Sequence, residues 1–190
     1  MKRRVSDKIA ASTQKAYRAL SASLFKLMEE KPFEKISTID ICQSADVPRA
    51  TFYNHFEDKF DLLRYALKNI IKTVTQDLNN NINQSEYPLK IADNILSFIK
   101  ANEKLAKKIV SANYNSVLFN EIKKVVFDQL YETLTIKESQ ERKYLANKQM
   151  IAEFYANGIV YSVKTWIEEG MTVPKEEITD ALKAVLTANI

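Results

Sequence analysis

Glycine and proline are scarce, 2 and 4 of 190 residues, or about 1% and 2% where soluble proteins average roughly 7% and 5%. Tight hairpin turns need residues that accept φ > 0, so hairpin-built sandwiches and barrels, and glycine-looped nucleotide-binding folds, are excluded. Cysteine and histidine occur once each, as Cys42 and His55. One chain therefore cannot assemble a disulfide framework or a Cys/His metal site, and no metal or cofactor is expected. No stretch reaches the 18 or so uncharged apolar residues of a membrane span. The start, MKRRVSDKIAAST, is basic but has no apolar run like that of a signal peptide. A soluble, cytoplasmic chain with no membrane partner is the expectation.

What is present is an ordinary globular balance, 46% hydrophobic and 27% charged, enough for a sizeable core. The net charge of +4 is unevenly placed. Residues 1 to 26 hold seven basic side chains against Asp7 alone, residues 27 to 60 hold four against seven acidic ones, and the rest is nearly neutral. A positive N-terminal end suits a polyanion; a solvated basic tail is the alternative.

Apolar spacing is helical almost throughout. Ile9, Ala16, Leu20, Leu24, Leu27 and Met28 predict an amphipathic helix over 8–30, ending before Pro32. Ser37 and Asp40 have the spacing of a capping box, which predicts a helix over 38–45 with Ile41, Cys42 and Ala45 turned inward. Pro48 forces a break and suits the start of the next helix, while Asp46 tolerates the left-handed conformation a tight turn needs. A second short helix, Arg49 to His55, follows; Glu57 and Asp58 favour a fourth helix over about 58–82. The polar run at 79–88 is linker-like. Helices over 88–101, 103–113, 116–138, 143–169 and 175–188 complete the pattern, with Gly170 as a C-cap and Pro174 opening the last. The fold class is all-α, about nine helices: a compact three-helix unit over 1–57 and a larger helical bundle over 58–190.

Two helices joined by a three-residue turn, with a third packed before them, frame a helix-turn-helix DNA reader. Phe52 and Phe56, four apart, face the core together, whereas Arg49, Thr51, Tyr53, Asn54 and His55 project around the remaining surface. A buried helix with one polar side is the plainer alternative. The block IDICQSADVPRATFYNHFEDKFDLL resembles the N-terminal signature of the tetracycline-repressor (TetR/AcrR) family of bacterial transcriptional regulators, over roughly residues 9 to 68. Its most specific part is Thr-Phe-Tyr-x-His-Phe-x-x-Lys, Thr51 to Lys59. A weaker likeness covers Phe154 to Gly158 and Trp166 to Met171.

The resemblance implies that Thr38 contacts phosphate, that Arg49, Thr51, Tyr53, Asn54 and His55 lie on a recognition helix, and that Lys59 contacts phosphate from the next helix. Two positions depart from the pattern. Asp46 stands where the family usually has Gly, and Pro48 replaces a Ser or Thr cap and has no side-chain group to offer a phosphate.

His55 lacks any second metal-ligating partner, Cys42 fits a small buried apolar position, and no carboxylate pair suggests an enzyme. Down the eighth helix runs a stripe of Ile151, Phe154, Tyr155, Gly158, Ile159, Ser162, Val163, Trp166 and Ile167. With Ile178, Leu182 and Val185 of the last helix it fits either a four-helix homodimer interface, the use the resemblance implies, or closure of the core within one chain. Phe98, Tyr114, Phe119, Phe127 and Tyr131 lie where the family encloses an effector; packing is the alternative. The sequence thus predicts a homodimeric regulator of transcription, a repressor whose affinity for a palindromic double-stranded DNA operator changes with an unidentified small-molecule effector. An activator of the same family, or a helical protein-interaction module, is the alternative.

Overall fold

The computed structural model describes residues 11–75, 87–138 and 147–187. Among these are nine α-helices, one 3-10 turn and no strand: α1 (Ala11–Met28), the 3-10 turn (Phe33–Lys35), α2 (Thr38–Ala45), α3 (Arg49–His55), α4 (Lys59–Thr75), α5 (Tyr87–Ala101), α6 (Glu103–Ala112), α7 (Leu118–Glu138), α8 (Lys148–Glu168) and α9 (Lys175–Thr187). No helix among the described residues is long and apolar enough to cross a membrane. The expected ends of the fourth and eighth helices, at 76–82 and 143–146, lie outside the described residues.

Local chemistry places the boundaries of the N-terminal unit. Ser37 accepts from the Asp40 amide at 3.1 Å, and the Asp40 carboxylate accepts from the Ser37 amide at 2.9 Å, so α2 begins with both halves of its capping box made. Lys31 adds a 2.9 Å contact to the same carboxylate, and these partners hold Asp40 down at about 2, the lysine first among them. The helix stops because Asp46 turns left-handed, φ 52° and ψ 44°, with its amide donating back to Gln43 and Cys42 carbonyls. Pro48 then caps α3 in an extended conformation with no side-chain hydrogen bond. At the start of α4, Asp58 accepts from the Asp61 amide at 2.8 Å.

One core holds this unit together. Leu20, Leu24 and Met28 of α1, Phe33, Ile41, Phe52, and Leu62 and Leu63 of α4 are buried in it. Leu118 of α7 belongs to the same cluster, and Ile109 and Ile122 pack against it. The packing unit therefore extends past residue 57 into α4 and takes side chains from the bundle.

In the bundle α7 packs on α8 and α4, α5 on α9 and α4, and α6 on α8. A second cluster gathers Leu96, Val110, Trp166, Ile167 and Met171, with Phe119, Val163 and Ile178 against it. Gly170 at φ 83° and Met171 at φ 57° end α8, and the Met171 amide reaches back to the Trp166 carbonyl at 2.8 Å. This left-handed stop is the one Gly170 predicts.

Candidate nucleic-acid interface

The seven residues of α3 divide cleanly. Phe52 is buried and, just past the helix end, so is Phe56, their rings 5.6 Å apart. Arg49, Ala50, Tyr53, Asn54 and His55 are exposed and Thr51 half-buried. Tyr53 is 50% exposed, so half of its surface faces solvent. Arg49, one turn earlier, sets its guanidinium 6.0 Å from the centre of that ring, as neighbours on one helix face do. Such a face offers donors, an aromatic surface and, at Ala50, little bulk to obstruct close approach.

What steadies the face is aromatic. Tyr17 of α1 lies 5.0 Å from His55, 5.0 Å from Phe56 and 4.9 Å from Tyr65 of α4. Burial, with Tyr65 next, pushes the Tyr17 hydroxyl above its ordinary value. His55 thus presents one side to solvent while its ring is held edge-on by Tyr17, a residue that sequence reasoning did not single out. The signal existed: Tyr17 precedes Leu20 by three and Leu24 by seven, on the buried stripe of α1. Thr38, half-buried, opens α2 just after its cap.

Lys59 differs from expectation. Its ammonium donates to the carbonyls of Phe33, Glu34 and Ile36 at 2.9, 2.9 and 2.8 Å and stands 4.8 Å from the Phe33 ring centre. An ammonium has three protons to donate, and all three are used inside the chain. Desolvation lowers its pKa, against the pull of Glu34, Asp40 and Asp58. In this arrangement Lys59 clasps the α1–α2 connection and has no proton left for a phosphate.

The C-terminal candidates are also rearranged. Trp166 is 3% exposed and its indole N–H donates to the Val173 carbonyl at 2.8 Å. With Val163 and Ile178 packed in the same cluster, these three members of the expected interface close the core of a single chain. Tyr155 and Ile159 are half-buried, whereas Gly158 and Ser162 are exposed, and nothing lies within 4 Å of a Cβ built on Gly158. Leu182 and Val185 lie on α9, their side chains outside the described residues. Phe154 of the expected stripe faces outward, and Met150 and Tyr161, which lie outside that stripe, share its face; the three are 72, 69 and 70% exposed.

Four of the five aromatics expected around an effector fall into two separate groups. Tyr114 and Phe119 bracket the Lys164 ammonium, 3.9 and 5.2 Å from their ring centres. Phe127 and Tyr131 stack on each other at 5.7 Å, and Phe127 lies about 12 Å along α7 from Phe119 at 1.5 Å per residue. Phe98 sits half-buried on α5. Among the described residues no group of three or more His, Cys, Asp or Glu side chains could hold a metal.

A short α2, a left-handed turn and an α3 with an exposed polar face make this a helix-turn-helix head mounted on a helical bundle. Residues 15–66 match the family described as bacterial regulatory proteins, tetR family, and residues 86–188 the family described as transcriptional regulator C-terminal region. The chain belongs to the tetR family of bacterial regulatory proteins. One curated relative is the HTH-type dhaKLM operon transcriptional activator DhaS of Lactococcus lactis subsp. lactis (strain IL1403). It is 31% identical over 116 residues, 57% of this chain and 59% of that protein, so the match spans less than two thirds of the relative. Among solved structures, Lin0861 from Listeria innocua has a TM-score of 0.66 at 21% identity, over 95% of this chain and 93% of that one. The transcriptional regulator FadR from Bacillus subtilis, in complex with stearoyl-CoA, has 0.61 at 18%, over 92% and 99%. Both likenesses are of fold.

Proposed function

We propose that this protein regulates transcription by binding a palindromic DNA operator as a homodimer, with α3 in the major groove. The observation that carries the reading is α3 itself: Arg49, Tyr53, Asn54 and His55 exposed around one helix whose Phe52 is wholly buried. Side chains so placed reach base edges and phosphates together, the first setting sequence and the second register. The outward apolar face of α8 supports the dimer, since Met150, Phe154 and Tyr161 follow steps of four and seven and exposed apolar stripes of this kind mark interaction sites. Gly158, between them, lets a second helix come close.

A small ligand bound in the bundle would set DNA affinity by its preference for one orientation of the two heads. Repression is the sign the sequence reading favours; the Lactococcus relative is an activator by name. Selection of bound duplexes from a random pool tests the reading: a single two-fold-symmetric sequence should emerge, with binding that falls steeply as salt rises. Recovery of random sequence, or a flat salt response, removes it and leaves a helical protein-interaction module.

A further inference from the structure

The α1–α2 connection, residues 28–36, is gripped from two sides by hydrogen bonds, of which those from Asn113 to Met28 and Phe33 are buried. Asn113, at the end of α6, is 1% exposed. Its Oδ1 accepts from the Phe33 amide at 2.6 Å, and its Nδ2 donates to the carbonyls of Met28 at 3.0 Å and Ile109 at 2.8 Å. Met28 ends α1 and Phe33 begins the 3-10 turn, so one amide satisfies an orphan carbonyl and an orphan N–H on either side of the bend. A flipped amide would face N–H to N–H and oxygen to oxygen, so the network fixes its orientation. Three residues on, the Ser116 hydroxyl donates to the Glu34 carboxylate and is the first cause of that group's lowered pKa. From the opposite side Lys59 holds the carbonyls of Phe33, Glu34 and Ile36.

The connection runs straight into Ser37, the cap of α2. Apolar contacts between head and bundle, such as Ile109 and Ile122 against the head core, are non-directional and permit small rotations. Hydrogen bonds to backbone atoms do not. We infer that Asn113, supported by Ser116, is a positioning residue that sets the angle of the reading head on the bundle and thereby the separation of operator half-sites the protein accepts. This rests on the DNA-binding reading above. Nothing at Asn113 touches DNA; it acts through the connection.

The experiment uses the full chain and duplexes carrying the selected half-sites at the selected spacing, at spacings one and two base pairs longer and shorter, and as a single half-site. Wild type should prefer one spacing, because two linked heads fit one separation. Asn113→Ala should lower affinity at that spacing by about 3- to 30-fold, flatten the spacing preference, and leave the single half-site within about twofold. An unchanged spacing profile, or an equal loss on the single half-site, would overturn the inference. If Asn113→Ala does not fold, Ser116→Ala decides: flattening in the same direction but smaller supports the joint, and an unchanged profile in the folded variant overturns it. Failure of wild type to select any symmetric duplex would instead sink the DNA-binding reading, and the joint's role with it.

Discussion

Around the head, twelve buried side chains between α1 and α4 form one core with Leu118 of α7, and a chain of rings from Tyr17 through His55, Phe56 and Tyr65 braces the recognition helix. Among the described residues of the bundle, five buried side chains form the central cluster while α8 turns Met150, Phe154 and Tyr161 outward. Burial of a large apolar side chain stabilises by about 1.5 to 3 kcal/mol, so the bundle leaves stabilisation unrealised that the head has taken. The head closes its core within one chain, with Leu118 supplied from the bundle, whereas the described part of α8 leaves an apolar face uncovered. A braced α3 and an open apolar face on α8 are the division of labour that the proposed dimeric reader needs.

The contrast within α8 is the sharpest place to break this comparison. Trp166→Glu puts a charge into the closed core and removes the bond to Val173, so the bundle should unfold or lose several kcal/mol. Phe154→Glu lies on the outward face and should leave the monomer's stability within about 0.5 kcal/mol while abolishing association. Thermal unfolding and sedimentation of the two variants decide it. A dimeric, stable Trp166→Glu, or an unfolded Phe154→Glu, would reverse the assignment of the two faces.

Lys59→Ala tests the head in the same way. Loss of three charge-assisted bonds to backbone carbonyls should cost about 1.5 to 3 kcal/mol of stability, and the salt slope of DNA binding should not change. A slope flattened by about one phosphate's worth, with stability intact, would restore Lys59 as a phosphate contact. Tyr53→Ala is the converse: stability should hold, and operator affinity should fall by about 1 to 3 kcal/mol, read by titration per folded molecule. A variant that unfolds would show the ring to be part of the core.

What could be read from sequence is what neighbouring residues settle among themselves. The Ser37–Asp40 box, the left-handed Asp46 before Pro48, and the Gly170 stop each involve partners within five residues, and each stands where the spacing predicts it. Phe52 and Phe56 were legible because the two positions lie four apart on a helix with polar residues elsewhere. The facing of α8 was not. Met150, Ile151, Phe154, Tyr155, Ile159, Tyr161, Val163 and Trp166 put apolar groups on most sides of it, so periodicity fits two stripes about 150° apart. Leu96, Val110 and Met171, brought in by the fold, choose between them. The internal role of Lys59, and Asn113 altogether, were not legible for a related reason: their long-range partners are backbone carbonyls and an amide 23 to 26 and 80 to 85 residues away, and backbone groups carry no sequence signature.

The smallest expected effect concerns acid. Asp40 is held at about 2, below its ordinary 3.8, by Lys31 first and Ser37 next. A carboxylate lowered in the folded state binds its proton less readily there than in the unfolded chain, so it contributes stability above its ordinary value and loses it as pH falls through the folded one. The contribution should therefore be complete above about pH 4 and vanish towards about pH 2. Both partners of the Lys31–Asp40 pair are one-third exposed, which screens the interaction and keeps it small. Asp40→Asn should be slightly less stable than wild type at neutral pH, with the gap closing between about pH 4 and 2, as followed by thermal unfolding at a series of pH values. A gap that persists unchanged to pH 2 would mean that packing or cap geometry, and not the carboxylate's charge, is what Asp40 contributes to the start of α2.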